Sequence, residues 1–488
     1  MHVAQSQFGD AVAPLLGAEA MSVDIVDAGE IPVDWRDPWD RLAQQASEAN
    51  VFAERWFVEA SLHLAGPSPV HMLAVWLGAT LIGLLPLLCA ARYGRTPVAH
   101  LQNWLHHQAF LGTPLVQVGQ ERAFWSAALG AMDRARWAKG FFHMVGLVEH
   151  GPVHRGLVAA AGELGRPCVS VHRTERAFLE SHFSPTEYYQ HSVRKKKRKE
   201  IGRLVSRLKE RGELRYRSYW PGDDLDRWID DFLILEARGW KGKAGSALAS
   251  TPQTDAFFRA AVHGAEAAAR LQFLRLDLDG RPIAMLVTFT APPGAFTFKI
   301  AFDEDFGRYS PGVLIQLEYL KVLDRDDIGW TDSCAIENHP MINSLWRERR
   351  TIVRATVPLA GARRRAAYAA CRSLETGSAL LRRLVAARSQ AAPIRKEESE
   401  LASSARAISS VSPACTRSAP ANCAMACSAM SCGRWRRWSA SPGASTARMS
   451  SIMPATCRWA WIPRRCIIPA FRRRRRSVVS RNAAAGWC

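Results

Sequence analysis

The sequence predicts an α+β fold in which mixed, mostly antiparallel sheets are flanked by helices and laid out as two similar halves in tandem. Three observations lead there. Leu271–Thr290 reads as strand, an Asp279-Gly280 turn, then a returning strand; FTFKIAF (Phe296–Phe302) supplies a third strand and a helix opens near Ser310. An earlier stretch, MLAVWLGATLIGLLPLLCAA (Met72–Ala91), repeats the first part of that plan. Setting Ile82 against Ile283 aligns AVWLGATLIGLLPL with RLDLDGRPIAMLVT: strand, turn, isoleucine, small residue, apolar strand. Between the two hairpins, helical and strand periodicities alternate.

In chain order, residues 1–30 read as a loose leader. Pro38–Ala65 has helical spacing and leads into the first hairpin. Met72–Ala91 carries no charge over twenty residues, long enough to span a bilayer, but Gly78, Gly83 and Pro86 interrupt it and the repeat makes it a hairpin. Leu101–Gln117 is irregular and rich in aromatic residues and histidine. ERAFWSAALGAMDRARWAKG predicts a helix, FFHMVGLVE a strand, and His154–Gly165 a second helix stopped by its glycine. These elements complete a first lobe over residues 31–185. Residues 186–220 read as a basic helical hinge: Ile201, Leu204, Val205 and Leu208 fall at i, i+3, i+4 and i+7, while Arg194–Lys199, Arg203, Arg207 and Lys209 form the opposite face. A second lobe spans 221–360, followed by a helical or linker segment over 361–400.

The formal charge of +20 has the look of a nucleic-acid signature, but its distribution argues otherwise. Residues 401–488 contain 15 arginines and no Asp, Glu or Lys, which leaves the rest of the chain near neutrality. Seven of the eleven cysteines also lie in this tail, and the four in the body are too scattered for a disulfide framework, which suggests a reducing compartment. The tail has a single leucine and no periodic apolar face, so it cannot build an ordinary core. It reads as disordered or as GC-rich coding sequence translated out of frame. Cys423, Cys427 and Cys432 lack a fourth ligand there, so no metal is expected. The N-terminus shows no secretory pattern, and a cytoplasmic location is expected.

The hairpin, third strand and helix start, together with EARGWKGKAGSAL (Glu236–Leu248) and WTDSCAIENHPMINSLW (Trp330–Trp346), resemble the CelD-type acetyltransferases of the GNAT superfamily, which are associated with cellulose biosynthesis and distantly related to Fem-type peptidyltransferases. The resemblance covers roughly residues 30–360. It implies two GNAT-like folds in tandem, an acyl-CoA co-substrate (acetyl-CoA first), no metal, and a sugar-related or cell-envelope acceptor, with polysaccharide-synthesis machinery as a partner. One departure stands out. The superfamily phosphate loop is Q/R-x-x-G-x-G/A, whereas Arg308-Tyr309-Ser310-Pro311-Gly312 sets its glycine later and lacks the second.

Acyl transfer from a thioester needs a neutral amine, backbone donors on the carbonyl and a proton for the leaving thiolate. Ser310 at an N-cap position, Pro311 on the first helical position and bare Gly312 make a helix start suited to an anion. By resemblance, Ser310–Val313 receive the pyrophosphate, the strand bearing Lys299 lines the acyl-CoA arm, and Trp346 lies near the thiol. Glu236 and Asp303 are the candidate bases and Tyr309 the candidate proton donor; Trp240, Lys241 and Asp332 are candidate substrate contacts. Lys299 reads either as a phosphate or substrate contact or as a strand-edge residue snorkelling outward. His106-His107 is excluded as an H-H-x-x-x-D-G motif because Leu111 stands where the aspartate is required, and Cys334 with His339 is excluded as a nucleophilic pair. Two further readings stay open: a Fem-type transferase fed by aminoacyl-tRNA, which the basic hinge would suit, and a non-catalytic accessory protein.

Overall fold

The computed structural model describes residues 20–377; the tail from 401 onward, including its cysteines, lies outside them. The first half contributes β1 (Met21–Asp27), α1 (Arg36–Gln45), α2 (Arg55–Ser61), β2 (Val70–Leu77), β3 (Thr80–Ala90), β4 (His100–Asn103), β5 (Leu115–Val116), α3 (Glu121–Arg134), β6 (Phe142–Val148), α4 (Pro152–Glu163) and β7 (Val169–Leu179). After α5 (Pro185–Ser192) and α6 (Lys195–Lys209), the second half runs β8 (Leu214–Ser218), α7 (Leu225–Arg238), α8 (Trp240–Lys243), α9 (Pro252–Ala267), β9 (Leu271–Leu278), β10 (Arg281–Ala291), β11 (Gly294–Phe302), α10 (Pro311–Tyr319), β12 (Trp330–Asp332) and β13 (Glu348–Val357).

Both predicted hairpins form. Met72–Ala91 is β2 and β3 with the turn at Gly78, and no described helix is long and apolar enough to cross a membrane. The second hairpin turns through Asp279 (φ 51°) and Gly280 (φ 78°), the left-handed pair that a two-residue turn of the primed type demands. The internal repeat holds to the residue. Pairing slips between Val75 and Trp76 in one hairpin and between Pro282 and Ala284 in the other, so Ile82 and Ile283 are each the extra residue of a β-bulge. The small residue that follows is where a helix crosses the sheet: a Cβ on Gly83 would lie 2.1 Å from the Phe124 ring of α3.

All thirteen strands join one sheet, ordered β1-β2-β3-β4-β6-β13-β7-β12-β11-β10-β9-β8, with β5 attached to β3. Each half runs four antiparallel strands and then a parallel partner, β4 with β6 and β11 with β12. The next strand of each half is exchanged: β13 pairs with β6 of the first half, and β7 pairs with β12 of the second. The two exchanged strands also pair with each other along their length.

The structure adds detail to two of the sequence readings. Pro38–Ala65 is not one helix; it breaks around Asn50, which is buried and whose amide donates to the carbonyl of Thr113 at 2.6 Å while its Oδ1 accepts from the Phe52 N–H. The basic segment forms the helix its spacing predicts, and that helix is packed down. Ile201 and Leu208 of α6 and Tyr188 of α5 are buried in the same core as Leu276, Ile283 and Leu314, so the helix is fixed to the second half by its apolar stripe. Another core joins the halves: Phe52 and Trp56 meet Phe296 and Phe289 edge to face at 5.3 and 5.1 Å.

Candidate active site

β11 and β12 run parallel for only three residue pairs, Gly294–Phe296 against Trp330–Asp332. Beyond them β11 continues to Phe302 while the chain after Asp332 turns away. At that point β11 itself bulges: Val287 faces Lys299 and Thr288 faces Thr297, leaving Phe298 extra. The outcome is an opening between two parallel strands, its mouth bridged by the Thr297 hydroxyl donating to the Ser333 carbonyl at 2.9 Å.

The equivalent opening in the first half is filled. Asn103 at the end of β4 exchanges both hydrogen bonds with Val145 of β6, at 2.9 and 2.8 Å, and the Gly112 N–H donates to the Gly146 carbonyl at 2.9 Å. A Cβ on Gly112 would stand 2.0 Å from the Val145 oxygen, so glycine is what lets this loop sit between the strands. The irregular Leu101–Gln117 segment is therefore a plug on its own side. On the other side it becomes a wall of the second opening, where the Phe110 carbonyl accepts from Arg176 at 2.7 Å and the Phe110 ring lies 5.4 Å from the Lys299 ammonium.

Lys299 stands one residue past the bulge. Burial, reinforced by the neighbouring Lys241 ammonium, lowers its pKa to about 8, against the pull of Glu236. Glu236 is 4% exposed and both of its oxygens are engaged: Lys241 Nζ donates to Oε1 at 2.6 Å and the Leu248 N–H to Oε2 at 2.8 Å. Lys241 also reaches the Ile300 carbonyl on β11 at 3.3 Å. Glu236, Lys241 and Ile300, with Gly239, Trp240 and Phe302, line a small cleft beside β11, and Trp240 is 59% exposed at its edge. Glu304 fixes α8 there by accepting from the Trp240 N–H and from Lys243 at 2.8 Å.

Asp332 closes β12 and is fully buried. Arg176 from β7 approaches its two oxygens at 2.7 Å each, Arg350 from β13 donates at 3.2 Å and the Cys334 N–H at 2.9 Å. Burial alone would raise this carboxyl, but the two guanidinium groups hold it below its usual range. Arg350 in turn lies 4.5 Å from the centre of the Trp330 ring. Asp332 is thus the anchor of both exchanged strands, with its acceptor positions occupied. Cys334 is pushed well above the ordinary thiol range, by burial first and then by Asp332, which suits its exclusion as a nucleophile.

The predicted anion seat is folded differently from its sequence reading. Pro311 does take the first helical position, but Ser310 before it is left-handed (φ 54°, ψ 52°) and its hydroxyl caps nothing. The Ser310 N–H donates to Gly307, and the Val313 N–H donates back to Ser310. Pro311, Gly312 and Val313 are all buried; the nearest atoms to a Cβ on Gly312 would be Met341 Sδ and Phe302 Cδ1, both at 3.4 Å. Met341 therefore lies over the start of α10.

The structure brings Glu236, Trp240, Lys241 and Lys299 together beside β11. Asp303 and Tyr309 stand apart from that group. The Asp303 carboxylate accepts from Arg281 at 2.5 Å and from the Asp305 N–H at 3.0 Å, and Tyr309 is buried against Phe306 under Arg308. Trp346 is buried and stacked on Tyr319, with ring centres 6.1 Å apart. Arg176, Arg350 and Phe110 were not foreseen, because two of them arrive from the other half of the chain and the third on an exchanged strand. Among the described residues no group of His, Cys, Asp or Glu is placed to hold a metal ion.

Residues 195–338 match the family described as the Acetyltransferase (GNAT) domain. That span begins with α6 and ends past β12. No curated protein matches the chain. Solved structures similar to it include FemX, at 9% identity and a TM-score of 0.45, with 68% of this chain and 96% of that one covered. A tandem GNAT protein from the clavulanic acid biosynthesis pathway follows at 16% identity and a TM-score of 0.38, covering 70% and 100%. The C-terminal domain of a putative lysylphosphatidylglycerol synthetase from Agrobacterium fabrum has 14% identity and a TM-score of 0.41, covering 69% and 94%.

Proposed function

We propose that this chain is an acyltransferase that moves an acyl group, acetyl first, from acyl-CoA to an amine or hydroxyl of a sugar-related or cell-envelope acceptor, with the opening between β11 and β12 as its site. The observation that carries this reading is the bulge at Phe298, set where β11 parts from β12 and inside the segment that matches a GNAT domain. Past Phe296 the edge of β11 away from β10 has no partner strand, so peptide groups beside the bulge lack ladder partners there. Such an edge can hold an extended thioester arm and polarise its carbonyl.

The acceptor amine attacks the thioester carbonyl carbon; a C–N bond forms, the C–S bond breaks, and one proton leaves the amine while another reaches the thiolate. Lys299 is the group suited to take the first proton. Its pKa of about 8 gives a substantial neutral fraction near physiological pH, whereas Glu236 is already committed to Lys241 and Leu248. Lys241 then acts as a positioning residue, held by Glu236, that keeps a positive charge beside Lys299 and depresses its pKa, with burial as the larger cause. Trp240, exposed at the edge of the cleft, offers a flat face to a sugar ring.

Thiol release from acetyl-CoA with glucosamine as acceptor tests the reading directly. Turnover that disappears in Lys299→Met supports it. Absence of acetyl-CoA binding by the parent protein sinks it. A second reading, aminoacyl transfer from a charged tRNA, is favoured by the basic face of α6, and aminoacyl-tRNA in place of acetyl-CoA in the same assay separates the two.

A further inference from the structure

The first turn of α6 is arranged against its own electrostatics. A helix start carries partial positive charge and favours acidic side chains, yet this one begins Lys195, Lys196, Lys197 and Arg198, has no acidic residue in its first turn and no side-chain cap. Helix stability does not account for that choice.

A groove of about 800 Å³ opens at the same place, between α6 and the segment from Pro340 to Arg349. Arg194, Lys196, Lys197, Arg347 and Arg349 line it, with Glu200 as the lone carboxylate, 3.5 Å from Lys197. Among the described residues, Arg194, Lys196 and Arg347 have no carboxylate within ion-pair distance. Arg349 donates only to main-chain carbonyls, of Trp346 at 2.9 Å and of Glu348 at 2.7 Å, which leaves its charge uncompensated. An independent sign comes from Trp346. This residue lines the groove, is 1% exposed, and its indole Nε1–H has no acceptor, although stacking on Tyr319 holds the ring in place. A buried donor without a partner is costly and asks for an acceptor.

We infer that this groove binds the phosphate of a small phosphorylated ligand, at the start of α6 rather than at the start of α10. Five cations, a helix start and an unpaired indole N–H are all donors, and a phosphate oxygen accepts from each. Pro340, Asn343 and Ser344 of the groove's lining belong to the segment whose Met341 covers the start of α10. The nucleotide end of the co-substrate and a phosphorylated acceptor share this chemistry. Three further α6 cations, Lys199, Arg203 and Arg207, line a separate groove that has only Lys196 in common with this one, so the two sets of cations can be tested apart. The site does not depend on acyl transfer taking place: binding is read by itself, and a failed acyltransferase assay leaves it standing.

Calorimetric titration of the full chain with pyrophosphate, adenosine bisphosphate and glucose 1-phosphate at one ionic strength tests it. The parent binds at least one of the three. Arg194→Ala/Lys196→Ala/Arg347→Ala weakens that affinity by about tenfold or more, as expected for loss of charge-assisted bonds. Arg203→Ala/Arg207→Ala leaves it within about twofold, since those cations line the other groove. Trp346→Phe, which keeps an aromatic ring against Tyr319 and deletes the donor, weakens binding severalfold in protein that still unfolds cooperatively, and it serves as the probe should the triple variant misfold. Tightest binding of adenosine bisphosphate assigns the groove to the co-substrate, and of the sugar phosphate to the acceptor. No binding of any probe by the parent, or equal binding by the triple variant, overturns the inference. So does a short single-stranded RNA that binds with a steep salt dependence and is lost equally from both charge variants.

Discussion

At the scale of single residues, the site is governed by how few charges share a nearly dry space. Lys299 was legible in the sequence as a cation inside FTFKIAF, but not as a base. Its depressed pKa comes first from burial and then from the neighbouring Lys241 ammonium, which only the fold brings close. If it must be neutral to act, kcat/KM should rise with pH and level off above about 8, and Lys299→Arg should abolish that limb in a pH–rate series. The same residue has a stability signature. Its folded pKa lies below the ordinary 10.5, so the folded state releases a proton that the unfolded chain keeps between about 8 and 10.5. The penalty is therefore full below about 8 and is relieved as pH rises toward 10.5, and Lys299→Met should stabilise the protein at neutral pH by on the order of 1–2 kcal/mol while destroying turnover. Asp332 should behave in the opposite way. Its removal strands Arg176 and Arg350 in the interior, and Asp332→Ala should cost about 3–5 kcal/mol in urea unfolding. Nothing in TDSCAIEN announces that role, since both arginines lie far away in sequence.

Elements tell how the repeat works. Ile82 and Ile283 could be aligned from pattern alone, and each is the bulged residue of its hairpin. The pattern was readable because both hairpins repeat one local order, a turn, then an isoleucine at the bulge, then a small residue. Gly83→Ala places a Cβ 2.1 Å from Phe124 and must displace α3, at a cost of about 1–3 kcal/mol by thermal unfolding. The start of α10 was read correctly for its proline and wrongly for its openness. Ser310 and Val313 spend their N–H groups locally, and a side chain on Gly312 meets Met341 and Phe302. Gly312→Val should consequently lower stability, a change visible in the melting midpoint without any ligand. Buried contacts from the later Pro340–Trp346 segment are what sequence reading lacked, since a loop's path over a helix leaves no periodic trace.

For the molecule as a whole, two tandem halves were foreseen from sequence, but not that each finishes the other. Short parallel contacts such as β11 with β12 leave a gap that an antiparallel strand must flank, and the exchanged strands supply it from the opposite half. Strand periodicity does not say which half a strand will join, which is why the exchange was invisible. Residues 180–377 expressed alone lack β7 and with it Arg176, so they should show no cooperative unfolding transition. Adding residues 20–179 as a second chain should restore one by circular dichroism. An isolated second half that melts cooperatively would mean that β7 is dispensable.

The exchanged strand also sets an order of events in time. β6 is complete by Val148, yet its outer edge is closed by β13, whose pairs begin at Ile352, roughly two hundred residues later. At ribosomal speeds of about 5–20 residues per second, that edge waits roughly 10–40 seconds during synthesis before its partner exists. Contacts so distant along the chain are slow to form even when both ends are free. The first half must therefore emerge with an unsatisfied β edge, a surface that recruits stray strands, and its yield in the cell will depend on what shields Phe142–Val148 until the second half arrives.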